Sequence, residues 1–187
     1  MNKEKVLLDI VRQNFASVVW THKIQEKQAE MYAKEYKVLE TINIIVAALT
    51  SCGIIASIFS SNIISQIITA ILSFFTLSIA AYFKSFNIRT LEVQSKTAAN
   101  QFVVIRNELL DVIAAIKYAK DDIDEIKACY EGIIQRLNKL YVDAPPTTQR
   151  ACNLASDALK VKRDYTFSDE EIDMFLPKSL RVENDII

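Results

Sequence analysis

From Thr41 to Phe83 the chain runs 43 residues without a single charged side chain, and every Lys, Arg, Asp and Glu lies outside that gap. One soluble helix does not account for such a stretch. A bilayer core about 30 Å thick takes roughly 20 apolar residues per helical crossing. Thr41–Phe59 and Ile63–Phe83 each supply one crossing, and Ser60-Ser61-Asn62 is left as the turn between them. A charge at the centre of a spanning helix costs about 2.5–3.5 kcal/mol, so strict segregation of charge is what insertion into lipid demands. The sequence therefore predicts a membrane hairpin carrying a helical body.

Four stretches follow: an N-terminal cytoplasmic helix over 1–40, the hairpin over 41–83 (spans 41–59 and 63–83), a long helical hairpin or coiled coil over 84–144, and a helical segment with a tail over 145–187. The chain holds two Gly and three Pro. That stock builds few turns, and the apolar stretch lacks the alternation of a transmembrane barrel, so the expected class is all-α. Positive residues stay on the cytoplasmic side of a membrane. Lys34 and Lys37 precede the first span and Lys84 and Arg89 follow the second. Both termini of this multi-pass protein are thus expected on the cytoplasmic side of its membrane. The first 40 residues show no apolar signal segment. The net charge of −1 gives no electrostatic basis for direct nucleic-acid binding.

Each span carries a stripe of small and polar residues: Asn43, Ala47, Thr50 and Ser57 in the first, and Ser65, Thr69, Ser73, Thr76 and Ala80 in the second. Such a face suits close helix contact with hydroxyls bonding across it, or the lining of a pore in an oligomer. No ionisable residue lies in either span, which argues against a proton relay or an ion-coupled transporter.

The first 40 residues read as one helix running into the first span, with a break near Asn14–Ser17 as an alternative. Beyond Lys84 the apolar steps alternate three and four through Phe102, Ile105, Leu109, Val112, Ile116, Ile123, Ile126, Tyr130, Ile133, Leu137 and Leu140, a candidate assembly seam. A turn near Tyr118–Asp121 would fold it into a hairpin; a parallel coiled coil between subunits is the alternative. The acidic run Asp121–Glu125 suits a helix start. Pro145-Pro146 ends that helix. Thr147–Arg163 restarts one, with Ala151, Leu154, Ala155, Ala158 and Val161 on one side. Ser168 and Glu171 form a capping box ahead of a short helix at about 169–175, which Pro177 stops.

Chemistry is thinly represented. His22 is the only histidine, which disfavours a zinc site and a Ser–His–Asp device; it is expected to face solvent or a partner. Cys52, Cys129 and Cys152 form no CxxC pair and are expected as buried, reduced thiols. The acidic group Asp169–Asp173 reads as a cap and a solvated face. No catalytic residue, cofactor or metal is expected, and the chain does not read as an enzyme.

Trp20-Thr21 within VVWTHKIQEKQAE, the short-turned hairpin at 41–83, the helical region after it, Asp143-Ala-Pro-Pro146, Phe167-Ser-Asp-Glu-Glu-Ile172 and Phe175-Leu-Pro-Lys-Ser-Leu-Arg181 occur in an order that resembles the SLATT family of two-transmembrane effectors. Where that pattern shows a basic residue shortly after the Thr, this chain has Gln25 and Glu26, with Lys23 or Lys27 as substitutes. The resemblance implies a pore-forming or membrane-disrupting effector of antiviral defence in the bacterial inner (cytoplasmic) membrane, acting by abortive infection on a cue from a sensor partner (a nucleotide cyclase, a SLOG protein or a reverse transcriptase); the hairpin, the stripes and the seam add the expectation of a homo-oligomer. A non-conducting, membrane-anchored helical scaffold that recruits a cytosolic partner is the alternative.

Overall fold

The computed structural model describes residues 3–59, 63–118 and 122–175, the side chains of 56–59, 169, 170 and 173 excepted. Among the described residues six α-helices follow one another: α1 (Lys3–Phe59), α2 (Ile63–Phe86), α3 (Ile88–Tyr118), α4 (Ile123–Asp143), α5 (Gln149–Ser156) and α6 (Asp169–Phe175), with a π-helical turn over Asp157–Val161. No strand occurs among the described residues. The fold is all-α, as the residue pattern predicts.

α1 is unbroken over 57 residues. Asn14, where a break was an alternative, stays helical because its amide finds a partner: Nδ2 donates to the Tyr130 hydroxyl at 2.5 Å. The N-terminal half of α1 packs with α3 and α4 around Val11, Val18, Phe102 and Leu109, all fully enclosed. Its C-terminal half pairs with α2 in an antiparallel hairpin whose connection, residues 60–62, lies outside the described residues.

One break was not anticipated. α2 stops at Phe86, and Asn87 takes a left-handed φ of 41° before α3 begins. Asn tolerates that region better than most residues. Its backbone N–H donates to Phe83 O at 3.0 Å, and its Oδ1 accepts the Thr90 hydroxyl at 2.7 Å. The residue thus closes α2 and caps α3.

α3 ends at Tyr118 and α4 begins after the N-cap Asp122, whose side chain accepts from Asp124 N at 3.1 Å. α3 and α4 form a hairpin within the chain; the residues joining them, 119–121, are outside the described set. α4 stops at Asp143 ahead of the two prolines. α5, capped by the Thr148 side chain, buries Ala151 and Ala155 against α1 near Ile24. Ala158 joins them at 3% exposure. Leu154 and Val161, expected on the same side, are instead exposed. The switch to π geometry after Ser156 rotates the later residues away from the α-helical row. The capping box forms as expected: Ser168 N donates to Glu171 Oε2 at 2.9 Å and Glu171 N to Ser168 Oγ at 3.3 Å.

Candidate functional site

The hairpin sorts its residues into two faces. On α1, Asn43, Val46, Ala47, Thr50 and Gly53 are half-buried; on α2, Ser65, Thr69, Leu72, Ser73, Thr76 and Ile79 are. These rows meet. A Cβ built on Gly53 would overlap the Thr69 hydroxyl, so the two backbones approach closely at that level. The candidate face Asn43, Thr50, Ser65, Thr69, Ser73 and Thr76 therefore lies along the line where the two helices touch within one chain. Ala80 points outward, and the Ser57 side chain is outside the described residues.

Four hydroxyls of this face bond back along their own helix rather than across the contact. Thr50 donates to Val46 O, Thr69 to Ser65 O, Ser73 to Thr69 O and Thr76 to Leu72 O, at 2.8–3.1 Å. Bonding to the carbonyl one turn back satisfies a hydroxyl without water or a partner helix. The Asn43 Oδ1 atom is enclosed and has no hydrogen-bond donor.

The opposite faces are apolar and bare. Phe74 is 68% exposed, Leu77 70% and Ile44 63%. Two helices are long and apolar enough to cross a membrane, with mean hydropathies of 1.9 and 2.0 in their most apolar windows, none of which is buried. Leaving such side chains half exposed to water forgoes about 1 kcal/mol each. Summed over both helices, that rivals or exceeds the whole stability of an ordinary domain, about 5–15 kcal/mol. Lipid is the solvent that removes the penalty.

Where the hairpin meets the body, aromatic rings bridge the two helices. The Tyr82 hydroxyl donates to Glu35 Oε1 at 2.9 Å, Tyr36 and Phe83 sit with centroids 5.4 Å apart, and the Arg89 guanidinium lies 5.5 Å from the Tyr36 ring.

The candidate seam is closed within the chain. Phe102, Ile105, Leu109, Val112 and Ile116 of α3 and Ile126, Tyr130, Ile133, Leu137 and Leu140 of α4 all belong to the core cluster shared with α1; Ile123 is half-buried.

The arrangement that sequence reading missed sits on α1 at the level of Trp20–Gln28. His22, Lys23, Ile24 and Gln25 are all buried, four positions in a row. A helix buries consecutive residues only where neighbours cover it all round. Here α3, α5 and the segment after the π turn do so. Lys23 Nζ lies 3.0 Å from Glu26 Oε2, 2.9 Å from Asp164 Oδ2 and 3.2 Å from the Tyr165 hydroxyl, which itself donates to Glu26 Oε2 at 2.7 Å. Asp164 and Tyr165 come from a turn in which Arg163 and Tyr165 hold left-handed φ values of 55° and 69°. Each such non-Gly residue costs about 1 kcal/mol or more, so the Lys23 bonds hold a strained strap in place.

His22 corrects the expectation of a solvated side chain. It is 6% exposed and stacks on Tyr165, centroids 5.4 Å apart. Burial pushes its pKa below the ordinary 6.5, and Arg106 and Lys23 add to the effect against the pull of Glu26. Burial acts to lower the Lys23 ammonium too, but the hydrogen bonds it donates to Asp164, Glu26 and Tyr165 more than offset it, and the group stays cationic well above its usual range. Glu26 is held below its ordinary value because bonds from Tyr165 and Lys23 outweigh its own burial.

Trp20 packs with Ile24, Ala151 and Ala155, with the Lys160 ammonium 5.3 Å from its ring; the Thr21 hydroxyl donates to Ser17 O at 2.9 Å. Gln25 donates to Pro145 O and Gln28 accepts from Thr148 N and Oγ1, at 2.8–2.9 Å. These polar positions were legible only as departures from the apolar row, a signal that does not reveal their partners. The cysteines also depart from expectation: all three are free, but Cys52 and Cys129 are exposed, since each falls on an outward helix face. Among the described residues no cluster of His, Cys, Asp or Glu is arranged to hold a metal ion.

No curated protein and no solved structure matches the chain. The family model for the SMODS and SLOG-associating 2TM effector domain family 4 matches residues 7–171. That span takes in the helical body, both apolar helices and the strap, and agrees with the resemblance read from Trp20-Thr21 and the hairpin. This is a membrane protein built around a two-helix hairpin, and the chain belongs to the SMODS and SLOG-associating 2TM effector domain family 4.

Proposed function

We propose that the chain is the membrane effector of a bacterial conflict system: several copies assemble in the inner membrane, both termini in the cytoplasm, and form or open a pore when a sensor partner signals. The observation that carries this reading is the continuity of α1. One unbroken helix holds the Lys23 network in its middle and the first span in its C-terminal part. From Lys23 to Thr41 is 18 residues, about 27 Å of rigid helix. A change in how the strap grips α1 is therefore transmitted to the hairpin as a tilt or rotation, the kind of two-state coupling that switches use.

Assembly in this reading uses the outward faces of the hairpin. The Phe102–Leu140 row takes part only if α3 and α4 exchange partners between chains. The stripe Asn43, Thr50, Ser57, Ser65, Thr69, Ser73 and Thr76 lines the conducting path once hairpins open against one another. A non-conducting, membrane-anchored scaffold is the second reading. It is favoured by the Thr50, Thr69 and Ser73 hydroxyls of that stripe being satisfied inside a single hairpin.

The deciding experiment reconstitutes the full chain in liposomes loaded with a self-quenching dye and, separately, follows membrane potential in induced cells. Dye release together with depolarisation supports the effector. Intact liposomes and polarised cells, in the presence of the sensor partner, leave the scaffold.

A further inference from the structure

A cleft of about 530 Å³ opens where α1 leaves the body and enters the hairpin. It is bounded by Lys34, Val38 and Leu39 of α1, Tyr82 of α2 and Arg150 of α5, with Glu35 beside them. Two cations from separate elements thus face one space. Both are exposed, and neither takes part in an ion pair among the described residues. Nearer the body on the same helix α1, by contrast, Lys27 is paired with Glu30. The one carboxylate of the cleft, Glu35, is engaged by the Tyr82 hydroxyl at 2.9 Å. Two cations against one carboxylate leave the cleft positive.

Its remaining wall is apolar and continues into the membrane. Val38 is 58% exposed, and one turn further along α1 Ile42 begins the bare row of the hairpin. Lys34 lies seven residues before Thr41, about 10 Å along the helix. That places its stem within reach of the headgroup layer, where long basic side chains extend their charge to phosphate level.

We propose that this cleft binds the phosphodiester headgroup of an anionic phospholipid from the leaflet on the body side. The phosphate sits between Lys34 and Arg150, and an acyl chain runs along Val38 and Leu39 toward Ile42. A free phosphate shares the anionic chemistry but has no use for the apolar wall. Arg150 belongs to α5, which is already fastened to α1 through Thr148 on Gln28 and through buried Ala151. The lipid therefore clamps α5 to the root of the first span. The proposal needs the hairpin to lie in lipid and does not depend on pore formation.

The test uses the full-length protein in a neutral detergent. Thermal unfolding is followed while dihexanoyl phosphatidylglycerol, dihexanoyl phosphatidylcholine or sodium phosphate is added. The phosphatidylglycerol alone should raise the melting temperature saturably. The double variant Lys34→Gln/Arg150→Gln changes only exposed side chains and should bind it about 30-fold more weakly, at about fivefold per cation. Lys127→Gln, on the outer face of α4, should bind as the parent does. Equal shifts with phosphatidylcholine, a matching shift with inorganic phosphate, or undiminished binding by the double variant would each overturn the proposal.

Discussion

Lys23 Nζ lies 2.9 Å from the Asp164 carboxylate, and this contact joins the middle of the first helix to a strap near the other end of the chain. Lys23 itself is 3% exposed, whereas the side chains of Glu26 and Asp164 each keep 35% of their surface. That asymmetry sets the size of the effect. Breaking a sealed ion pair costs about 3–5 kcal/mol because a charge is stranded. Here the stranded carboxylates rehydrate, so Lys23→Met should destabilise the body by about 1–2 kcal/mol, in the range of hydrogen bonds to a charged group. The local effect should be larger than the global one. The strained turn at Arg163 and Tyr165 loses its anchor, so tryptic cleavage after Arg163 should accelerate well before the melting temperature moves by more than a few degrees. Unchanged cleavage kinetics in the variant would remove the strap from the argument.

The same cluster predicts a pH dependence in two steps. His22 has a folded pKa below 6.5, so between 6.5 and that lower value the unfolded chain binds the proton more readily. Stability then falls as pH drops from 6.5, and levels off once the folded form protonates too. Glu26 and Asp164 are also depressed, below their ordinary 4.5 and 3.8. Their contribution is present above those values and is lost as pH falls through the folded ones, giving a separate acid step. Lys23 acts at the other extreme: its raised pKa gives stability that is complete below 10.5 and fades only above it. His22→Phe keeps an aromatic ring against Tyr165 and carries no titrating group. Melting curves between pH 7.5 and 5.5 should converge for that variant and diverge for the parent. A parent curve that is flat over this interval would refute the assignment.

The difference between what was legible and what was not follows from the range of the signals. The hairpin is written in one local property, the absence of charge from Thr41 to Phe83, and the α3–α4 pairing in one periodic property, the three-and-four step from Phe102 to Leu140. Both survive folding because each residue's fate depends on neighbours a turn away. The Lys23 network is the opposite case. Its acceptor Asp164 and its hydroxyl partner Tyr165 are ordinary turn residues until the π turn at Asp157–Val161 swings them over α1. Nothing in the sequence near His22 announces that a strap will cover it, which is why a lone histidine among charged residues reads as solvated. Asn87 was equally hidden. A single left-handed residue between two helices has no composition signature when the residue is not Gly.

Gly53 tests the hairpin contact directly. It is one of two glycines in the chain, and a methyl group at that position would overlap the Thr69 hydroxyl. In water, Gly→Ala inside a helix gains about 1 kcal/mol from propensity alone. At a close helix crossing in lipid the contact dominates, because small residues are what allow the backbones to approach. Gly53→Ala should therefore weaken the α1–α2 association rather than strengthen it. Thr69→Ala removes the obstructing oxygen, and the next Thr69 atom, its Cβ, stands at an ordinary van der Waals distance of 3.4 Å. The double variant Gly53→Ala/Thr69→Ala should then recover the parent's behaviour. A disulfide reporter across the hairpin measures this: crosslinking yield in membranes should drop for Gly53→Ala and return for the pair. Full crosslinking in the single variant would mean that the two spans do not meet at Gly53, and the close crossing would have to be placed elsewhere along the hairpin.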